Sequence, residues 1–268
     1  KFGVPAPEPV DTFPADKKVT LVDFNQNSQL VQDLQNGISG RLVGIIDHHA
    51  IQSGIITTDA PIYIDIRPWG SACTIIAHTY FRTNTEVPRE IAGLLLSGIL
   101  SDTLNLRSPT TTDQDRTLAP KLAAIAGVLD TDAYAQELFA AKSAPLNGMT
   151  ALEIIQSDAK TFPYGDKSVF FAVVETTDPA AMMARKAELA QALAQQKQAD
   201  GVNYAFFAIV DIVNQHSNLL ILGDDEARLA ACAWGSGPVA DSVMDLGGRV
   251  SRKKDFMPEI SRCIASGF

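Results

Sequence analysis

The stretch that most restricts the fold is Leu42-Val43-Gly44-Ile45-Ile46-Asp47-His48-His49, an apolar run that stops at an acid and two adjacent histidines. A run this short and this apolar suits a strand buried on both faces, the kind found in parallel sheets. Ligands of open α/β sheets collect beyond the carboxyl ends of such strands. Val19-Thr20-Leu21-Val22-Asp23 has the same form, an apolar run closed by an acid. Between the two, Ser28 is placed to cap a short helix reaching about Leu34. An edge strand over 61–66 follows. Strand, helix and strand in that order predict a parallel sheet with right-handed crossovers.

Further along, the periodicity predicts helices over 71–81, 88–101, 111–126 and 132–141. The helix over 88–101 is apolar nearly all round, which predicts burial, and Gly127 is a C-cap for the one before it. A composition shift at 142–148 reads as a linker, dividing the chain into domains 1–145 and 146–268. In the second part the pattern predicts a strand over 168–175, a long helix over 179–198, strands over 203–213 and 219–223, and a helix over 255–264. Asn214-Gln215-His216-Ser217 reads as the turn of a β-hairpin. The fold class is therefore α/β, a parallel-sheet domain followed by a smaller mixed α/β domain.

Charge limits the partners. With 22 Lys and Arg against 31 Asp and Glu, the net charge of −9 argues against a nucleic-acid or acidic-membrane binder. An acidic protein that handles an anion must concentrate its positive charge, or bound cations, in one place. The three cysteines, Cys73, Cys232 and Cys263, are too few and scattered for a disulfide framework or a thiolate metal site, and read as small core residues. Reducing cytoplasm is the expected compartment. No apolar run reaches membrane-spanning length. The chain opens on Lys1, and its first residues read as the interior of a longer protein, so a preceding segment is expected.

Three acids stand out. Asp23 and Asp47 each close a strand of one sheet, within reach of one or two metal ions if the strands are neighbours. Asp102 closes an apolar helix, so it is expected to be half-buried or more and to meet a cation or a donor; capping the following turn is the other reading. Asp23, Asp47, His48 and Asp102 form a carboxylate–imidazole mixture of the kind that Mn²⁺ and Mg²⁺ favour. Two such ions sharing carboxylates would hold a hydroxide and clamp a phosphoryl group. The positive pole is Gly247-Gly248-Arg249-Val250-Ser251-Arg252-Lys253-Lys254, read equally as a phosphate clamp or a solvated basic turn. Lys160 by itself reads as a surface residue. His78 and His216 lack ligand-spaced neighbours and read as packing and hairpin-tip groups.

Taken in order, Val22-Asp23, Asp47-His48-His49, Ser101-Asp102-Thr103-Leu104, Ser108-Pro109-Thr110 and Val250-Ser251-Arg252-Lys253-Lys254 resemble the motifs of family II inorganic pyrophosphatases, the manganese-dependent members of the DHH phosphoesterase superfamily. The resemblance covers essentially the whole chain. It implies a DHH domain and a DHHA2-type C-terminal domain with the active site between them. It also implies two or more Mn²⁺ ions, with Co²⁺ or Mg²⁺ as alternatives. Asp23, His48 and Asp102 are then metal ligands, and Asp47 orients the histidines. His49 faces the substrate or supports the metal ligands from behind, and Lys160, Arg252 and Lys253 hold pyrophosphate. The implied reaction splits pyrophosphate into two orthophosphates by attack of a metal-bridging hydroxide, in a homodimer.

Two departures qualify the resemblance. Phe24 stands where family members often carry His. The family's first motif, a His and an Asp-x-Asp, has no counterpart in residues 1–18, and a missing segment or separate piece is expected to supply it. A short-chain exopolyphosphatase is the alternative enzyme, and a metal-poor binding module is the non-enzyme alternative if that motif is truly absent.

Overall fold

Both apolar runs that end in an acid become parallel strands. β1 (Val19–Val22) pairs with β2 (Leu42–Asp47), and β2 with β3 (Tyr63–Ile66), so the Asp-His-His strand is central in a three-stranded sheet. The computed structural model describes residues 1–35, 37–51, 57–235 and 239–268. The core beside this sheet packs Val19, Leu21, Leu42 and Ile45 against Leu30, Leu34 and Ile38. Burial on both faces does not hold: Val43 is 42% and Ile64 57% exposed, so apolar character here overstates coverage. The helix expected from Ser28 is instead a 3-10 turn over Asn27–Gln29 followed by the single-turn α1 (Gln32–Gln35).

The remaining helices of the first unit follow the sequence closely. They are α2 (Ala72–Arg82), α3 (Arg89–Asp102), α4 (Asp113–Ala126) and α5 (Thr131–Ser143). α3 buries Ala92, Leu95, Leu96, Ile99 and Leu100. α4 starts with a capping box between Thr112 and Asp115 and ends at Gly127, whose φ of 73° is the left-handed C-cap geometry. Immediately after α3, Leu104, Asn105 and Leu106 all have positive φ, at 48°, 56° and 62°. Such a conformation costs an L-residue about 1–2 kcal/mol. Hydrogen bonds hold the turn in place: Asn105 N donates to Leu100 O at 2.8 Å, and Arg107 N and Ser108 N converge on Thr103 O at 2.9 and 2.8 Å.

The chain forms two compact units, Lys1–Ala135 and Gln136–Phe268, the division falling inside α5. Residues 142–148, read as a linker, are the end of α5 and a 3-10 turn over Ala144–Gly148. The second unit contains α6 (Ala151–Ser157), β4 (Ala159–Tyr164), β5 (Lys167–Thr176), α7 (Pro179–Ala184), α8 (Lys186–Asp200), β6 (Tyr204–Asp211), β7 (His216–Leu220), α9 (Asp224–Trp234), β8 (Val239–Ala240), β9 (Val243–Gly247), a π-helical turn (Arg252–Phe256) and α10 (Met257–Ala265). Its six strands run in the order β4-β5-β6-β7-β9-β8. β5 and β6 are parallel and the other pairs antiparallel, with Asp211 opposite His216 in the expected hairpin.

Three features of this unit depart from the sequence reading. The single helix over 179–198 breaks at Arg185 (φ −92°, ψ 9°), whose guanidinium donates to Leu146 O at 3.3 Å and Met149 O at 2.9 Å. His216 does not stand alone, because Nε2 lies 2.9 Å from Asp245 Oδ1 across β7 and β9. The cysteines are not all free: Cys232 on α9 and Cys263 on α10 form a disulfide with Cα atoms 6.1 Å apart. The two helices pack side by side, which brings thiols 31 positions apart into contact. Cys73 remains a thiol. Among the described residues no helix is long and apolar enough to cross a membrane.

Candidate active site

The ends of β1 and β2 lie next to each other, so their acids and histidines converge. Asp23 follows β1 directly and has a φ of 70°, a left-handed geometry that Asp tolerates better than most residues. Its backbone N–H still donates to Ile46 O at 3.0 Å. Asp23 Oδ1 lies 3.2 Å from His48 Nε2 and 3.9 Å from His49 Nδ1. Asp23, His48 and His49 each offer one ligand atom, and the three atoms lie within 4.8 Å of one another. The carboxylate is half-exposed while the imidazoles are mostly covered, so the cluster opens to solvent on the Asp23 side.

Asp47 sits under this cluster, fully buried. Its Oδ1 accepts from His48 N at 2.7 Å, His49 N at 3.1 Å and His49 Nδ1 at 2.8 Å, while Oδ2 accepts from Asn25 Nδ2 at 2.6 Å. Burial alone would raise its pKa, but the bonds from His49 and Asn25 outweigh that and hold the carboxyl at about 2. Asp47 is thus an ionised clamp on the two histidines. The His48 ring is oriented from its other side, Nδ1 lying 3.0 Å from Trp69 O. Burial lowers the pKa of His48, yet the Asp23 hydrogen bond, the Trp69 carbonyl and the charges of Asp102 and Asp23 raise it on balance.

Asp102, at the last turn of α3, contributes its field to His48 and accepts from Ser71 Oγ at 2.5 Å. It is exposed, not half-buried as its apolar helix suggests, although Leu100, Thr103 and Leu104 around it are buried. Cys73 lies in the same field. Burial first, and the Asp102 charge second, push its thiol up to about 12, which keeps it protonated and unreactive. The donor set is carboxylate oxygen and imidazole nitrogen, which suits a hard or borderline divalent ion such as Mn²⁺.

In the second unit, Asp158 and Arg252 come together from 94 positions apart. Arg252, at the start of the π-helical turn, donates from Nη1 to Asp158 O at 2.8 Å and from Nη2 to Asp158 Oδ1 at 2.6 Å. Asp158 immediately precedes β4, on which Lys160 lies, so this two-pronged bond brings Arg252 beside the Lys160 strand. The turn itself is tied by Asp255, whose Oδ2 accepts from Val250 N and Ser251 N at 3.0 and 2.9 Å. Lys253 is exposed on that turn.

The same two units are found in known proteins. The manganese-dependent inorganic pyrophosphatase of Methanocaldococcus jannaschii is 36% identical over 270 residues, 98% of this chain and 84% of the relative. This chain belongs to that family. A Deinococcus radiodurans protein assigned the same activity is 38% identical over 271 residues, 99% of this chain and 83% of the relative. A crystal structure from Methanococcus jannaschii, described as a family II inorganic pyrophosphatase, superposes with a TM-score of 0.83 at 34% identity, covering 98% of this chain and 84% of its own. Sequence profiles of the DHH family N-terminal domain and the DHHA2 domain match residues 4–99 and 136–263. Membership in the manganese-dependent pyrophosphatase family thus covers both units, and the α/β fold expected from the sequence stands.

Sequence reasoning missed the groups that position the site. Asn25, the Trp69 carbonyl, Ser71 and Asp158 touch the predicted residues, and none lies in a charge cluster or a recurring pattern. Asn25, two positions past Asp23, and Asp158, two before Lys160, were near enough in sequence to be found.

Proposed function

We propose that this chain hydrolyses inorganic pyrophosphate to two orthophosphates, with Mn²⁺ held by Asp23, His48 and Asp102. The observation that carries the reading is the Asp23–His48–His49 cluster seated on the ionised, buried Asp47. The activity named for the relatives supports it. What bound Mn²⁺ supplies is Lewis acidity toward a phosphoryl oxygen and a lowered pKa for coordinated water.

The remaining work falls to the chain's own side chains. Trp69 O accepts a hydrogen bond from Nδ1–H of His48, leaving Nε2 as the ligand atom. Asp47 accepts a hydrogen bond from Nδ1–H of His49, leaving its Nε2 to face substrate or to carry a proton. Lys160, Arg252 and Lys253 supply positive charge to pyrophosphate, with Arg252 oriented by Asp158. In a chain of net charge −9 that attraction is local, which favours a small, highly charged substrate over a polyanion surface. Co²⁺ and Mg²⁺ are alternative ions. A homodimer in the cytoplasm completes the proposal, checked by light scattering and cell fractionation.

The test is orthophosphate release by the intact protein with Mn²⁺, comparing pyrophosphate with tri- and tetrapolyphosphate. Release from pyrophosphate in preference to the longer substrates is expected. Preference for the longer chains would make it an exopolyphosphatase. No release, with fewer than two ions bound, would make it a binding module.

A further inference from the structure

Two atoms of one short loop touch the proposed metal ligands. The loop joins β3 to α2, and in it Trp69 O meets His48 Nδ1 at 3.0 Å while Ser71 Oγ donates to Asp102 Oδ2 at 2.5 Å. His48 and Asp102 therefore depend on where residues 69–71 sit. What fixes that loop is an acid outside the metal cluster, Asp115, in the first turn of α4.

Asp115 is fully buried. Its Oδ2 accepts from Gly70 N at 3.0 Å, Thr112 N at 2.7 Å and Thr112 Oγ1 at 2.6 Å, and its Oδ1 from Thr74 Oγ1 at 2.5 Å. A capping box needs only the Thr112 contacts. The bonds to Gly70 and Thr74 go beyond capping and tie α4 to both sides of the loop. Burying a carboxylate among neutral donors is unfavourable unless the donors are well placed, so an acid that only caps a helix has no reason to be this deep. Gly70 shows how closely the loop is held. A Cβ there would stand 2.6 Å from Asp115 Oδ2 and 2.6 Å from Thr103 Cγ2, so the backbone is threaded between Asp115 and the residue that follows Asp102.

We infer that Asp115 is a positioning residue of the metal site: through Gly70 it fixes the loop whose Trp69 carbonyl and Ser71 hydroxyl orient His48 and Asp102. This rests on the metal reading proposed above. Removing partners that orient metal ligands typically weakens metal binding about 10–100-fold.

The experiment measures Mn²⁺ affinity by electron paramagnetic resonance and thermal melting of the metal-free protein, for the full chain and four variants. Gly70→Ala leaves the Asp115 carboxylate in place and forces the loop away from it, and Asp115→Ala removes the anchor. Both are expected to weaken Mn²⁺ binding about 10–100-fold. Asp115→Asn is expected to restore affinity to within about threefold, since its carbonyl can replace Oδ2 toward Gly70 while the Thr74 hydroxyl turns to accept from the amide. Thr74→Val is the control: it loses the Oδ1 bond and melts lower, with Mn²⁺ affinity unchanged. If Asp115→Ala does not fold, Gly70→Ala decides. Gly70→Ala binding Mn²⁺ like the parent, or Thr74→Val losing as much affinity as Gly70→Ala, overturns the inference while leaving the metal reading intact. A parent chain that binds no Mn²⁺ overturns both.

Discussion

Asp47 gives the sharpest quantitative expectation, because its burial is complete and its partners are all identified. A drop in its pKa from 3.8 to about 2 means that folding favours the ionised carboxylate over the acid by about 2 kcal/mol. The sign follows from the depressed value. The stabilisation is fully present above the unfolded pKa of 3.8 and is lost as the pH falls through about 2, with about half gone near pH 3. Asp47→Asn keeps a neutral acceptor for the histidines, turns its NH2 toward the Asn25 amide, which can flip to accept, and removes the titration. The chain has two tryptophans, Trp69 in the first unit and Trp234 in the second, so a Trp234→Phe background lets Trp69 fluorescence report the unit that holds Asp47. Urea unfolding followed this way should show Asp47→Asn less stable by about 2 kcal/mol at pH 7, with the gap shrinking toward pH 3. Parallel unfolding curves for parent and variant across that range would refute the argument.

Four further outcomes are expected. Asp102→Ala should abolish turnover and weaken Mn²⁺ binding, read by calorimetric titration. Lys253→Ala should raise KM about ten- to hundredfold with kcat little changed, since a charge-assisted contact contributes about 1.5–3 kcal/mol; unchanged constants would make the basic turn a solvated one. The His48 pKa is raised above 6.5, so a proton competes with metal at Nε2, and Mn²⁺ affinity should climb until the pH has passed the raised folded pKa. In the metal-free protein the same shift stabilises the fold below pH 6.5 and its contribution disappears as the pH rises past the folded pKa. Reducing the Cys232–Cys263 bond, which closes a loop of 31 positions, should lower stability by about 3–4 kcal/mol on the chain-entropy account. Trp234 fluorescence, beside Cys232 on α9, would follow that loss.

What the sequence revealed was what is local in it. β2 and its Asp-His-His ending were legible because an apolar run and its polar stop are adjacent. α4 was legible because Thr112, Asp115 and Gly127 mark its two ends. β4 was missed because its residues alternate between partial and full exposure and include Pro163, and β9 because Asp245 interrupts five residues. The break at Arg185 has no helix-breaking residue and comes from carbonyls at Leu146 and Met149 that draw the guanidinium. Two contacts far apart in the chain left no trace. The Asp158–Arg252 pair spans 94 positions and the disulfide 31, and both are set by sheet and helix packing. Asp102 was found as a candidate from its place at a helix end, but its exposure was misjudged, because an apolar helix interior says little about its last turn.

The left-handed turn over Leu104, Asn105 and Leu106 ties the chemistry to the fold. Its two leucines together hold roughly 2–4 kcal/mol of unfavourable backbone conformation, Asn105 being more tolerant, kept in place by carbonyls at Leu100 and Thr103. Asp102 lies between those two carbonyls, on the same turn of α3. Loosening of the helical layer would therefore release the turn and carry Asp102 away with it. With Asp102 as a metal ligand, as proposed, filling the site would tighten α3 in the same step. Amides around residues 104–108 would slow their hydrogen exchange when Mn²⁺ binds.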